Sequence, residues 1–201
     1  MKTLLSSTYL GPVSYYRRLA SGAPIVMERN ENYPKQTYRN RCRISTANGV
    51  MDLSIPIKKC SDKCPMRDVR IAYTENWQQV HWRAIESAYS SSPFFEYYRD
   101  DFEPFYKRHT EFLFDLNEEL RSLVCSLVGI ATVVTVTDEY QFASEKDEVD
   151  LRNCFSPKTP TEEALSAYYQ VFERKFGFLP DLSVIDLLFN MGPESLLVLK
   201  K

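Results

Sequence analysis

The hydrophobic positions near the N-terminus predict a strand, a helix and a second strand, in that order. Residues 3–8 form a short run that fits a buried strand, and residues 24–28 form another. Gly11 and Pro12 mark a turn between them. Apolar positions then recur at helical spacing at Val13, Tyr16 and Leu19. This order predicts a parallel β-α-β unit, whose turn lies at the sheet edge where open α/β folds bind ligands.

An asparagine-glycine pair between two alternating segments predicts a β-hairpin. Residues 42–46 and 50–57 flank Asn48 and Gly49, a pair typical of a type I′ turn because both of its central positions need positive φ. The apolar members of the second arm, on one face, are Leu53, Ile55 and Ile57. The hairpin therefore carries the polar segment 33–41 on its first arm.

Longer amphipathic patterns predict helices in the second half of the chain. They cover residues 76–90, 93–106, 110–128 and 161–174, and a last helix starts near Ser183. The β-branched run 130–136 predicts another strand. The charged residues 138–160 are expected to form a loop.

Polar residues around the last helix are explained by its ends. Ser183 and Asp186 have the spacing of a capping box, and Asn190 precedes Gly192, where the helix should stop. Metal binding by Asp181, Asp186 or Asn190 is not expected. The whole pattern predicts one α/β domain over residues 1–201, with a mixed sheet that opens with a β-α-β unit, an inserted β-hairpin and a helix-rich C-terminal half.

Composition and charge exclude several function classes. The chain has 201 residues, 44% of them hydrophobic and 26% charged, as in globular proteins. A formal net charge of −2 gives no general attraction to nucleic acid. No apolar run is long enough to span a membrane, and the N-terminus is too short and mixed for a signal peptide. We therefore expect a cytoplasmic protein.

The cysteines do not form a recognisable pattern. There are five, an odd number, spread along the chain, which agrees with a reducing compartment. Cys60 and Cys64 could supply half of a zinc site, but a second pair of ligands at usable spacing is missing. We expect no metal, and the sequence does not identify a cofactor.

The segment 33–41 concentrates hydrogen-bond donors, and its polar side chains are Lys35, Gln36, Arg39, Asn40 and Arg41. Guanidinium, ammonium and amide groups together suit an anionic ligand that also carries hydroxyls. Arg39 and Arg41 alternate and should share a strand face, with Asn40 on the other. The alternative is a solvated strand edge.

Aromatic and histidine side chains complete the candidate site. His81 on the predicted helix 76–90 is the catalytic candidate, because its ordinary pKa lies near neutrality and suits proton transfer. The alternative is a packed helix histidine beside Trp82, and His109 in a charged run is expected at the surface. Tyr9 and Tyr15 flank the first turn and could contact a ligand or pack in the core. Nucleophile elbows, phosphate-binding loops and dinucleotide fingerprints are absent from the sequence.

The order of these segments resembles the WbqC-like family of bacterial proteins. The matching residues are 8–12, 15–16, 32–41, 53–57, 77–85, 89, 92–95 and 182–190, which span nearly the whole chain. This chain differs from many members of the family in two features. Many family members have a His-Gln-Pro-Asn-Tyr turn, where this chain has Leu-Ser-Ser-Thr-Tyr at residues 5–9, so the analogy with nucleotidyltransferases weakens. Many also have a Gly-rich turn where this chain has the charged stretch 138–160.

The resemblance implies a context more than a reaction, since the family is associated with gene clusters for O-antigen and other surface polysaccharides. The first hypothesis is a transferase acting on an activated, nucleotide-linked sugar. Lys35, Arg39 and Arg41 would hold an anionic group, Gln36 and Asn40 would orient it, and His81 would move a proton. The alternative is a non-catalytic binding or scaffolding protein of the same pathway. The expected partner is a small anionic ligand such as a nucleotide sugar, with homodimer formation left open.

Overall fold

The computed structural model describes residues 2–141, 148–158 and 165–201. The strands are Lys2–Ser6 (β1), Ile25–Glu28 (β2), Arg41–Thr46 (β3), Gly49–Ser54 (β4), Val134–Val136 (β5) and Glu148–Asp150 (β6). The α-helices are Val13–Leu19 (α1), Trp77–Tyr89 (α2), Phe95–Phe102 (α3), Leu113–Val128 (α4), Glu173–Phe176 (α5), Val184–Met191 (α6) and Ser195–Leu199 (α7). Short 3-10 helices cover Met66–Asp68, Glu103–Tyr106 and Gly192–Glu194.

The sheet that positions the candidate site is parallel. β1 pairs with β2 on one side and with β6 on the other, and β2 pairs with β5, which gives the order β5-β2-β1-β6. The chain winds from β1 through β2 to β5 and then crosses back to place β6 beyond β1. Its winding therefore reverses between β1 and β6. Such a reversal opens a crevice beyond the carboxyl ends of the two strands.

The predicted α/β class, the β-α-β opening, the inserted hairpin and the helices of the second half are confirmed. Parallel and antiparallel pairing occur in two separate sheets, because β3 and β4 pair only with each other among the described strands. The type I′ turn is wrong. Gly49 has a φ of +105°, whereas Asn48 is not among the described residues with positive φ.

The core is built around α6, whose residues 184–190 are all buried. A helix that is buried on every side needs neighbours all round, and α6 packs against α1, α3 and β3. Its central ring, Phe189, meets Tyr89, Phe95 and Phe102 edge-on at centroid distances of 5.2 to 5.4 Å. This arrangement fixes α2 and α3 against α6.

The predicted capping box of Ser183 and Asp186 is wrong. The capping box is not formed, since the Ser183 hydroxyl donates to the carbonyl of Leu10 at 2.7 Å. The fully buried Asp186 instead accepts hydrogen bonds from Tyr89, Tyr168 and Gln170 at 2.8 to 2.9 Å. The side chains of Ser183 and Asp186 therefore bond residues outside α6 instead of capping it. Burial also raises the pKa of Asp186.

The helix predicted over 161–174 is also largely wrong. Residues 161–164 lie outside the described part of the chain, residues 165–172 are not helical, and α5 begins only at Glu173. The Gln170 side chain bonds the backbone of Leu179 in both directions, at 2.9 Å each, while also reaching Asp186. These contacts hold the segment extended across the core. Residues 138–160 were predicted to form a loop, but they contain β6. Glu148 and Asp150 at the ends of this strand are charged, so its sequence lacks the apolar pattern of a buried strand.

Replacing Gly192 by alanine should destabilise the protein. Gly192 ends α6 as predicted and has a φ of +51°, and an added Cβ would lie 2.5 Å from the Phe94 ring. Backbone strain and the clash together should lower the unfolding free energy by about 2–3 kcal/mol, measured by urea denaturation. Gly129→Ala is the matched control, because Gly129 has a φ of +80° and open space around it. An equal loss in both variants would show that the Phe94 contact contributes nothing.

Candidate functional site

Polar side chains join the carboxyl ends of three strands in the parallel sheet. Glu28, at the end of β2, is fully buried. Its Oε1 accepts hydrogen bonds from the backbone of Asn30 and from the Thr137 hydroxyl, both at 2.7 Å. Its Oε2 faces Nη1 of Arg152 at 3.4 Å. Glu28 therefore ties together the segments that follow β2, β5 and β6.

A second buried ion pair occupies the switch point itself. Arg39 donates to Glu31 through Nε and Nη2, at 2.7 and 2.6 Å. Nη2 also donates to Oγ of Ser6 at 2.7 Å and to the carbonyl of Arg152 at 3.2 Å. Ser6 ends β1, and Arg152 follows β6. The guanidinium thus lies where the winding of the sheet reverses.

Burial of these charges points to function rather than to stability. The side chains of Arg39 and Glu31 are 4% and 9% exposed, and those of Arg152 and Glu28 are 5% and 0% exposed. Moving such ions out of water costs as much as their attraction returns, so apolar residues would stabilise the fold equally well. Hydrogen bonds from Arg152 also hold the pKa of Asp150 below its usual range. Clusters of this kind are typical of binding and catalytic sites.

A cavity of about 500 Å³ opens at this cluster, and we call it the Arg39 cavity. It is lined by Asn30, Glu31, Asn32, Pro34, Arg39, Tyr140 and Asn153. Its volume lies within the range of small-molecule sites. Nη1 of Arg39 makes no hydrogen bond within the described part of the chain, so its two N–H groups remain available to a ligand. Amides, a phenol ring and this guanidinium face a common space.

The sequence-predicted donors of segment 33–41 are dispersed. Lys35 and Gln36 are exposed, and Lys35 has only a long ion pair of 3.7 Å with Asp62. Asn40 braces the backbone by donating to the carbonyl of Ile55 at 2.9 Å. Arg41 turns to the hairpin, where it binds Asp52 at 3.0 Å and the Ser54 hydroxyl at 2.9 Å. Of the five donors, Arg39 lines the cavity.

His81 lies in a different polar group. Its Nδ1 is 3.0 Å from the hydroxyl of Tyr9, which is 2.9 Å from that of Tyr106. His81 also has a hydrogen bond to the backbone of Ser54. Burial lowers the pKa of His81 to about 4, so the ring is neutral at pH 7 and a weak base. Both ring nitrogens are therefore engaged in the fold.

The two tyrosines of the first turn are core residues. Tyr9 is fully buried, and burial raises the pKa of its phenol well above the ordinary range. Tyr15 is 1% exposed and donates to the carbonyl of Ser6 at 3.0 Å. Neither lines the Arg39 cavity. Tyr15 nevertheless supports the end of β1 that holds Arg39.

Arg39 and His81 line two separate cavities among the described residues. The second has about 360 Å³ and lies between β4 and the start of α2, with His81 and Trp77 on one side. Arg41 reaches Asp52 and Ser54, which line that second cavity. Arg39 and Arg41, which are two positions apart in the chain, therefore point toward different surfaces. The expected meeting of arginine and imidazole across one cleft is not seen.

Sequence reasoning missed several members of the site. Glu28 ends a predicted parallel strand, and Asn30 and Glu31 follow it, so polar residues at that edge were a usable signal. Asn153 gave no signal, because it follows a strand that the sequence did not reveal.

Three further observations concern metal ligands, membrane helices and cysteines. Among them, no three His, Cys, Asp or Glu side chains come together as metal ligands would. No helix in the described ranges is long and apolar enough to cross a membrane. All five cysteines are free thiols.

Comparison with known proteins identifies a family. The chain is 30% identical to the uncharacterized protein Rv1507c of Mycobacterium tuberculosis over 220 aligned residues, which cover 96% of this chain and 94% of that protein. No solved structure matches it significantly. A model of the WbqC-like protein family matches residues 7–161, a range that contains segment 33–41, His81 and every residue that lines the Arg39 cavity. This chain therefore belongs to the WbqC-like protein family.

Proposed function

We propose that this protein binds an activated, nucleotide-linked sugar in the Arg39 cavity, as part of the synthesis of O-antigen or other surface polysaccharide. The observation that carries the proposal is the fixed guanidinium at the switch point, with Nη1 left over for a ligand. The polysaccharide context comes from the family resemblance.

The lining suits the sugar part of such a ligand. Arg39 and Glu31 neutralise each other, so the cavity has no strong charge. Amide groups of Asn32 and Asn153 can bind hydroxyls, and the ring of Tyr140 offers an apolar face. Neutral, polar and partly aromatic surroundings match a hydroxylated ring better than a bare anion.

Cations next to the lining suit the phosphates. Arg67 donates to the Asn30 side chain at 2.6 Å, and Lys35 adjoins Pro34 of the lining. Both side chains are well exposed, at 46% and 71%. A diphosphate leaving the cavity toward them would gain charge-assisted hydrogen bonds. This supports a sugar that is linked to a nucleotide.

A transferase is the second candidate, with an acyl or aminoacyl group moved to the bound sugar. It requires a group that accepts a proton at the cavity, and Glu31 is the carboxylate in the lining. Both Glu31 oxygens already accept from Arg39. The geometry therefore favours binding, with or without turnover.

Calorimetric titration with UDP-, GDP-, dTDP- and CMP-linked sugars tests the proposal. We expect micromolar binding of at least one of them, weakened tenfold or more by Asn153→Ala, since Asn153 is exposed and lines the cavity. His81→Gln should bind as the parent does, because His81 lines the other cavity. Equal binding by the Asn153 variant, or loss through His81→Gln alone, would contradict the assignment. Turnover by the parent that His81→Gln abolishes would restore His81 as the catalytic group.

A further inference from the structure

The outer edge of β4 is an unpaired strand edge. The backbone N–H of Ile55 donates to the carbonyl of Asn40, so the alternation of an antiparallel ladder directs Met51 and Leu53 toward β3. The backbone groups of Val50, Asp52 and Ser54 then point away from the hairpin. His81 bonds the backbone of Ser54. Within the described ranges, no residue pairs with the backbone of Val50 or Asp52.

The 360 Å³ cavity runs along this edge. It touches consecutive residues of β4, including Met51, whose side chain points to one face, and Asp52 and Ser54, whose side chains point to the other. Because the cavity contacts side chains from both faces of β4, it lies beside the strand rather than over one face. Val80 and His81 of α2 form its opposite wall. We call this space the β4–α2 groove.

Exposed apolar side chains lie along the β4 edge and on the facing wall of α2. Val80 is 62% exposed, Val50 42% and Met51 41%. Natural proteins protect strand edges with charges, prolines or bulges, because open edges recruit other strands. This edge instead combines free backbone groups with apolar side chains.

Among the described residues, the groove has one acidic side chain without a counter-ion. Asp52 and Glu75 line it, and neither lysine nor arginine does. Asp52 is already paired with Arg41 and Arg43, at 3.0 and 3.4 Å. Glu75 is exposed and forms no ion pair within the described part of the chain. An occupant that complements the groove therefore carries a cation opposite Glu75.

We propose that the β4–α2 groove binds an extended segment of a partner protein, which adds to β4 as a third strand. Backbone hydrogen bonds to Val50 and Asp52 supply the pairing, an apolar side chain of the partner covers Val80 and Met51, and a lysine or arginine meets Glu75. A second copy of this chain is disfavoured, since its own groove would bring another Glu75 carboxylate rather than a cation. This site is independent of the Arg39 cavity.

Panning a phage library of random nonapeptides on the full-length protein tests the proposal. We expect enriched peptides that alternate apolar residues and contain lysine or arginine. By fluorescence polarisation, synthetic copies should bind Val80→Lys at least tenfold more weakly than the parent. Gln79→Lys is the matched control and should bind normally, because Gln79 is also exposed on α2 and does not line the groove. Glu75→Gln should weaken binding several-fold.

Strand addition, unlike a side-chain contact, requires free backbone N–H groups on the peptide. Methylating alternate backbone nitrogens of the peptide should abolish binding in one register and spare it in the other. Failure to enrich any peptide, equal binding by Val80→Lys, or indifference to methylation in both registers would overturn the proposal. A dimer of the parent that Val80→Lys dissociates would assign the groove to a second copy and overturn it equally.

Discussion

Replacing Arg39 by methionine is expected to lower the unfolding free energy by about 3–5 kcal/mol, because it leaves the buried Glu31 carboxylate without its counter-ion. Glu31 is 9% exposed, and both of its oxygens accept from Arg39. The variant also removes the donor to the Ser6 hydroxyl and one of the two donors to the carbonyl of Arg152, which keeps its hydrogen bond from Ser6. Guanidinium chloride denaturation followed by circular dichroism measures the loss.

Arg41→Met is the matched control for that experiment. Arg41 lies two residues further on, and its ion pair with Asp52 is 27% and 41% exposed on the two sides. Such a pair contributes about 0–1 kcal/mol. The double variant Arg39→Met with Glu31→Leu should recover at least half of the loss, since no charge remains buried. Equal effects of Arg39→Met and Arg41→Met, or no recovery in the double variant, would refute the account of the switch-point pair.

The second large effect is a loss of stability in acid caused by His81. Its folded-state pKa is about 4, below the ordinary value of 6.5. Between these values the unfolded chain binds more protons than the folded one, so stability falls as pH decreases from about 6.5 to about 4. A difference of this size corresponds to about 3 kcal/mol, and above pH 6.5 the effect is absent.

Urea denaturation at several pH values, compared between the parent and His81→Gln, isolates this contribution. Carboxylates titrate in both proteins and cancel in the difference, which should shrink by about 3 kcal/mol between pH 6.5 and pH 4. His109→Gln, a change at the exposed second histidine, is measured alongside as the control. Parallel curves for the parent and His81→Gln would show that His81 stays solvated or finds a cationic role in the folded state.

Both predictions depend on where two residues of one candidate site lie. The sequence grouped Arg39 with Arg41 because alternate residues of a strand share a face. β3 begins only at Arg41, so Arg39 precedes the strand and turns to the parallel sheet. Glu31, eight residues earlier, determines the direction of its guanidinium. A contact of this kind leaves no periodic trace in the chain.

The helix histidine shows the same limit. Apolar spacing correctly placed His81 on the buried stripe of α2, together with Trp77, Ile85 and Ala88. That stripe could not show which hydrogen-bond partners His81 would meet. Tyr9 and Ser54 come from remote segments, and neither contact can be deduced from the spacing of residues along α2.

By itself, the sequence determined the elements whose cause is local. The β-α-β opening, the hairpin, α2, α3, α4 and α6 follow from apolar periodicity and from turn residues, which act over a few positions. Only the tertiary structure decided that β6 completes the parallel sheet and that Asp186 bonds two tyrosines and a glutamine. It also decided that Arg39 and His81 face separate cavities. The physical reason is that burial and pairing of polar groups depend on residues far apart in the chain, and their free energy appears only when the core closes around them.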